Sequence, residues 1–247
     1  MDSLLSATEK FRPGGNTVTA SSTDIDNTIR AICSPAMATS CPDSLMRGEL
    51  AQFYSQCQKE LTTTPNENVI DIYQVLFALS PLKKAVCSKD DNDNYCIRQK
   101  IGSNSPGSSN MQSVLNSLVI TNPRSATVTP NMTTYRDLNI AFLDLTPGLD
   151  QSTLCTTCTR QIFNSYYNFE MASPFAPGLS ASTLLGGQMD LYHAIQDKCG
   201  PNFLQTNIQA AGGISGNSLF SGAAHSAVDP GFFLAVCGLV TIIFFAI

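Results

Sequence analysis

Cysteine is the residue type in this chain best suited to covalent chemistry. There are nine: Cys33, Cys41, Cys57, Cys87, Cys96, Cys155, Cys158, Cys199 and Cys237. Two of them form the motif Cys155-Thr-Thr-Cys158. A CxxC is redox-active when it opens a helix after a strand, where the helix end lowers the thiol pKa. No strand pattern precedes this one, so it reads as two structural cysteines with different partners. No histidine follows it, which excludes covalent c-type haem. Zinc would need a second clustered pair or histidines. The chain has only His193 and His225.

The remaining candidates for chemistry are thin. His193 falls on a helical pattern beside Tyr192, with no serine in a nucleophile elbow nearby, so a Ser-His-Asp hydrolase has no support. LLGGQ (184–188) is glycine-rich but lacks a phosphate-loop lysine, and reads as a tight helix entry. Asp90, Asp91 and Asp93 in KDDNDNYC resemble half of a calcium loop, without its glycine or distal glutamate. They read as a solvated loop. Two acids distant in sequence can meet in a fold, so glycoside hydrolysis stays open at this stage. The chain has no Trp to stack on a sugar, although Tyr can substitute. The expectation is a protein with no catalysis, no metal and no cofactor.

The parity of the cysteines leads to the end of the chain. Residues 231–247, GFFLAVCGLVTIIFFAI, carry no charge and contain Cys237. Setting that tail aside leaves eight cysteines, an even set, which implies four bridges and an oxidising compartment. Upstream, GGISGNSLFSGAAHSAVDP (212–230) is rich in Gly, Ser and Ala and has no Lys or Arg. Small residues, a polar spacer and an apolar tail are the three parts of a GPI-attachment signal. Ser221-Gly222-Ala223 and Gly216-Asn217-Ser218 are the candidate attachment sites. A retained tail anchor is the alternative, but spanning a bilayer takes about 20 apolar residues. A GPI signal implies a secretory leader, and residues 1–15 show no apolar leader segment. The leader is therefore expected to have been removed or to precede Met1.

Composition agrees with a surface protein. Only 13% of residues are charged, against about 25% in an average protein. The net charge of −5 leaves no basic footprint for nucleic acid or anionic lipid.

Helical periodicity dominates what must position the cysteines. Residues 1–23 have no apolar period and read as a disordered segment. Residues 24–213 form the helical domain, 214–230 a flexible linker with the attachment site and spacer, and 231–247 the tail. Pro42-Asp43 opens a helix with Met46, Leu50, Phe53, Cys57 and Leu61 on one face. Asn68 is placed to cap a central helix, VIDIYQVLFAL, apolar almost all round. Ser80-Pro81 reads as the start of a separate short helix ending near Cys87. SNSPGSSN (103–110) is a loop, and a weaker helix covers Met111–Leu118. Asn131-Met132-Thr133 is an N-glycosylation acceptor in a turn-rich stretch. After Asp150, Cys155, Cys158, Ile162, Tyr166 and Phe169 share one helical face. ASPFAPGLSAS is a loop, and a last helix carries Met189, Tyr192, Ile195 and Cys199, ended by Gly200-Pro201. Five cysteines precede residue 100 and three follow it, so full pairing needs at least one bridge between the halves. Cys87 and Cys96 flank the polar loop and are placed to close it locally. The fold class is mostly α: a disulfide-braced, bundle-like helical ectodomain with long loops.

ICSPAMATSC, VIDIYQVLFALSPLKKAVCSKDDNDNYC, LCTTCTRQIFNSYYNFE and LLGGQMDLYHAIQDKCG together resemble an uncharacterised family of fungal secreted, GPI-anchored surface proteins. The likeness covers roughly residues 25–213. It implies a leader, an eight-cysteine ectodomain and a lipid-anchored end, and carries over no catalytic residue. The cysteines do not match the compact spacing of the fungal eight-cysteine haem-scavenging module. The expected function is structural or adhesive, at the outer face of the plasma membrane or in the wall. The partners are the membrane, reached through the anchor, and cell-wall glycans. A binding module for a small apolar ligand such as a sterol or lipid is the second reading, and it needs an apolar cavity of about 300 Å³ or more.

Overall fold

The computed structural model describes residues 22–98, 119–122, 127–176 and 182–204. Of residues 1–23, expected to be disordered, 1–21 lie outside these residues and Ser22 and Thr23 open the first helix; the helix expected over Met111–Leu118, the linker and the tail also lie outside them. Helices α1 (Ser22–Ile32), α2 (Pro35–Ser40), α3 (Asp43–Gln56) and α4 (Glu67–Cys87) follow one another, with a π-helical turn at Lys59–Thr63. Strands β1 (Val119–Asn122) and β2 (Thr127–Pro130) pair antiparallel, Val119 opposite Pro130. Then come α5 (Met132–Asp137), a 3-10 turn (Ile140–Phe142), α6 (Gln151–Leu154), α7 (Thr157–Met171) and α8 (Gln188–Cys199).

The centre is α4, as its apolar circumference requires. Tyr73, Phe77, Leu79, Leu82, Ala85 and Val86 are all buried. Helix α7 runs along it in the largest helix–helix contact of the fold. Phe77 and Phe169 meet edge to face at 5.3 Å across that contact, a pairing that contributes about 0.5–1.5 kcal/mol beyond area burial. Met46 and Leu50 bury the inner face of α3.

Three local expectations give way to the structure. Helix α4 does not break at Pro81 but runs through it as one helix. Pro81 removes one backbone bond, yet Ser80, Pro81 and Leu82 are buried, so packing on both sides outweighs a cost of about 3 kcal/mol. The cap of α4 is Asn66, whose side chain accepts the Asn68 N–H, rather than Asn68 itself. Cys155 does not ride on the helix of Cys158. Asp150 caps the one-turn α6, and Thr156 caps α7 separately, its hydroxyl accepting the Thr159 N–H. Cys155 lies in the corner between them. The β hairpin was not apparent from the pattern of its residues.

Candidate functional site

Among the described residues the cysteines form three bridges, and each joins separate elements. Cys33–Cys87 ties the end of α1 to the end of α4. Cys96–Cys158 ties the loop after α4 to α7. Cys155–Cys199 ties the α6–α7 corner to the end of α8. Cys87 and Cys96 therefore do not close their loop locally. The expected fourth bridge does not form between Cys41 and Cys57, which lie outside the three. They flank the 14-residue α3, which holds them about 21 Å apart, and a disulfide tolerates about 7 Å between Cα atoms. Cys155 and Cys158 bond different partners, so the CxxC is no redox pair.

The acids of KDDNDNYC are each engaged by the protein. Asp90 accepts the backbone N–H of Asn92 and Asn94 at 2.9 and 2.8 Å. Asp91 accepts the Thr157 hydroxyl at 2.8 Å, and Asp93 pairs with Lys89 at 2.8 Å. The loop is docked on the start of α7 through Thr157 and the Cys96–Cys158 bridge. His193 is exposed on α8, its ring against Tyr192 at 5.7 Å. LLGGQ is a tight entry to α8: a Cβ at Gly186 would stand 2.9 Å from the Ser182 carbonyl oxygen. Asn131 caps α5, its side-chain oxygen accepting the Thr134 N–H at 3.3 Å. Ser221, Gly222, Gly216, Asn217 and His225 lie outside the described residues.

An aromatic corner passed over in the sequence lies where α3, α4 and the end of α7 meet. Phe53 and Tyr54 on α3 contact Tyr73 on α4, with ring centroids 5.7 and 6.2 Å apart. Phe175, just past α7, stacks flat on Tyr54 at 4.1 Å and 3°. The Tyr73 hydroxyl donates to the Phe175 carbonyl at 2.6 Å. Phe175 is held at φ +57°, a left-handed conformation that is costly for a bulky residue, yet it leaves 46% of its surface exposed. Ile72 and Met171, from the two adjoining helices, are also exposed. Two carboxyls belong to the same helix ends. Burial pushes Glu170 up to about 7. Burial and the neighbouring Glu67 charge raise Asp71. The Phe175 ring, stacked on Tyr54 and partly open to solvent, offers an aromatic face suited to stacking. The one sequence signal for it was an aromatic set between Pro174 and Pro177.

A pocket of about 240 Å³ opens beside the Cys33–Cys87 bridge, lined among others by Ile32, Ala38, Cys41 and Lys83. It is smaller than the roughly 300 Å³ typical of a small-molecule site. Among the described residues, no helix is long and apolar enough to cross a membrane.

A family model described as Domain of unknown function (DUF7729) matches residues 4–140, more than half of the chain. The chain belongs to this DUF7729 family. No curated protein and no solved structure matches it. The DUF7729 match covers α1 to α5 and reaches the 3-10 turn, taking in Cys33, Cys41, Cys57, Cys87 and Cys96.

Proposed function

We propose that the chain is a fungal cell-surface protein, GPI-anchored at the outer face of the plasma membrane or linked into the wall. Its role is structural or adhesive, without catalysis. The observation that carries this reading is the set of three disulfides, each joining separate elements of one core. Such bridges persist in oxidising compartments. The uncharged tail at 231–247 and the small residues at Ser221-Gly222 or Gly216-Asn217 supply the anchor signal. Asn131 is the glycosylation site. The sugar attaches at its side-chain nitrogen and leaves free the oxygen that caps α5. The Tyr54–Phe175 stack is the surface that meets wall glycans.

The test expresses the full-length precursor in a fungal host and treats the cells with a GPI-specific phospholipase. The expected result is release of a protein that lacks residues 231–247. Retention in the membrane with those residues still in its mass would sink the anchor. A second arm passes the released protein over isolated wall glucan. Retention that Phe175→Ala removes supports the aromatic corner, and retention that it leaves unchanged rules that surface out.

A further inference from the structure

Besides Arg160 Nε, six side-chain polar atoms on α7 and α8, all from uncharged residues, have no hydrogen-bond partner among the described residues. They are both amide atoms of Asn164, both of Gln188, and the hydroxyls of Tyr166 and Tyr167. All four residues are nine-tenths buried or more: Gln188 and Tyr166 are 0% exposed, and Asn164 and Tyr167 are 5% exposed.

Helical register puts three of them at neighbouring levels of the two helices. Cys155–Cys199 ties the corner just before α7 to the end of α8, so the helices run antiparallel. Phe163 and Tyr192 stack at 5.7 Å further along. One turn onward on α7 and one turn back on α8 reach Tyr167 and Gln188 at the same level. Asn164 lies three residues before Tyr167, on the same stripe of α7. Gln74 of α4 holds the entry to α8 in place. Its side-chain oxygen accepts from the Ser182 hydroxyl at 2.6 Å and the Leu184 N–H at 3.0 Å. Gln74 leaves its own amide nitrogen buried and without a partner.

Leaving so many buried polar atoms bare would cost an amount comparable to the whole stability of a domain. Rotating an amide by half a turn does not help, because both ends of Asn164 and of Gln188 are unmet. The set mixes donors and acceptors and carries no charge, which is the complement of water. A buried water makes about three hydrogen bonds, so the five atoms of Asn164, Tyr167 and Gln188 call for about two waters.

We propose that the α7–α8 interface is an internal water-binding seam, with ordered waters shared by Asn164, Tyr167 and Gln188. The experiment records water-selective nuclear Overhauser spectra of the labelled full chain, using the sign of the effect to separate bound water from proton exchange. Long-lived water contacts are expected at the side-chain amide protons of both Asn164 and Gln188. Their absence at both positions in the wild-type protein would overturn the proposal. Gln188→Met, which keeps the length of the side chain, tests the sharing. Loss or weakening of the Asn164 contact supports a common seam. An unchanged Asn164 contact in the folded variant overturns it.

Discussion

Glu170 places a carboxyl in the last turn of α7, where the exposed helix carbonyls already carry negative partial charge. It is half-buried, and burial lifts it to about 7. The sign of the consequence follows from proton counting. Between the ordinary carboxyl value and 7, the folded chain keeps a proton that the unfolded chain releases. Stability from this group is fully present below about pH 4.5 and is lost as pH rises to about 7, by at most roughly 3 kcal/mol. Asp43 behaves in the opposite way. Burial raises its pKa, but hydrogen bonds from Lys84 and Ser80 and the charges of Lys84 and Arg47 outweigh that and lower it. Its contribution is present at neutral pH and is lost in acid. Glu170→Gln should therefore flatten the neutral side of the stability profile and leave the acid side intact. Urea midpoints taken from about pH 4 to pH 8 measure this, and a variant that still loses stability between about pH 5 and pH 7 would assign the effect elsewhere. Nothing in EMASPFAP reveals a buried glutamate. Its burial comes from the tertiary environment around the end of α7, which no local pattern encodes.

At the level of elements, the apolar faces were readable because burial imposes the helical period. Met46 and Leu50 on α3, Ile162 and Phe169 on α7, and Ile195 on α8 all lie inside. What was not readable depends on distant packing. Pro81 is a helix breaker in sequence, yet α4 continues through it between buried neighbours. Pairing of the cysteines needs the three-dimensional arrangement, since eight cysteines allow 105 pairings. The aromatic corner depends on a positive φ at Phe175, which a non-glycine residue does not announce. The bridges make a prediction at this scale. Non-reducing peptide mapping should join Cys33 to Cys87, Cys96 to Cys158 and Cys155 to Cys199, and a Cys87–Cys96 peptide would contradict the arrangement. Replacing Cys96 and Cys158 together by Ser should cost about 2–4 kcal/mol. Loss of the bridge also frees the 88–98 loop, so amide exchange should rise there first while α4 and α7 stay helical.

For the whole molecule, the decisive fact is that the family match and the core have different limits. The match stops at residue 140, but α4 is covered on its main face by α7. Phe77 packs on Phe169, Tyr73 binds the Phe175 carbonyl, and Cys96 is bonded to Cys158. Gln74 of α4 is spent on holding residues 182–184. A fragment of residues 4–140 would uncover Phe77 and the face of α4 that α7 covers, and leave Gln74 and the Tyr73 hydroxyl without their partners. At about 25 cal/mol per Å² of apolar surface, uncovering that face removes more than the few kcal/mol by which a domain is stable. The fragment should therefore lack a cooperative thermal transition and bind a hydrophobic dye. Residues 22–204, produced under oxidising conditions, should unfold in a single transition. Calorimetry on the two pieces decides between one core and two. A cooperative transition in the 4–140 fragment would mean that α7 and α8 are an addition to a complete domain, whereas the Cys96–Cys158 bridge and the Phe77–Phe169 contact require them to be half of it.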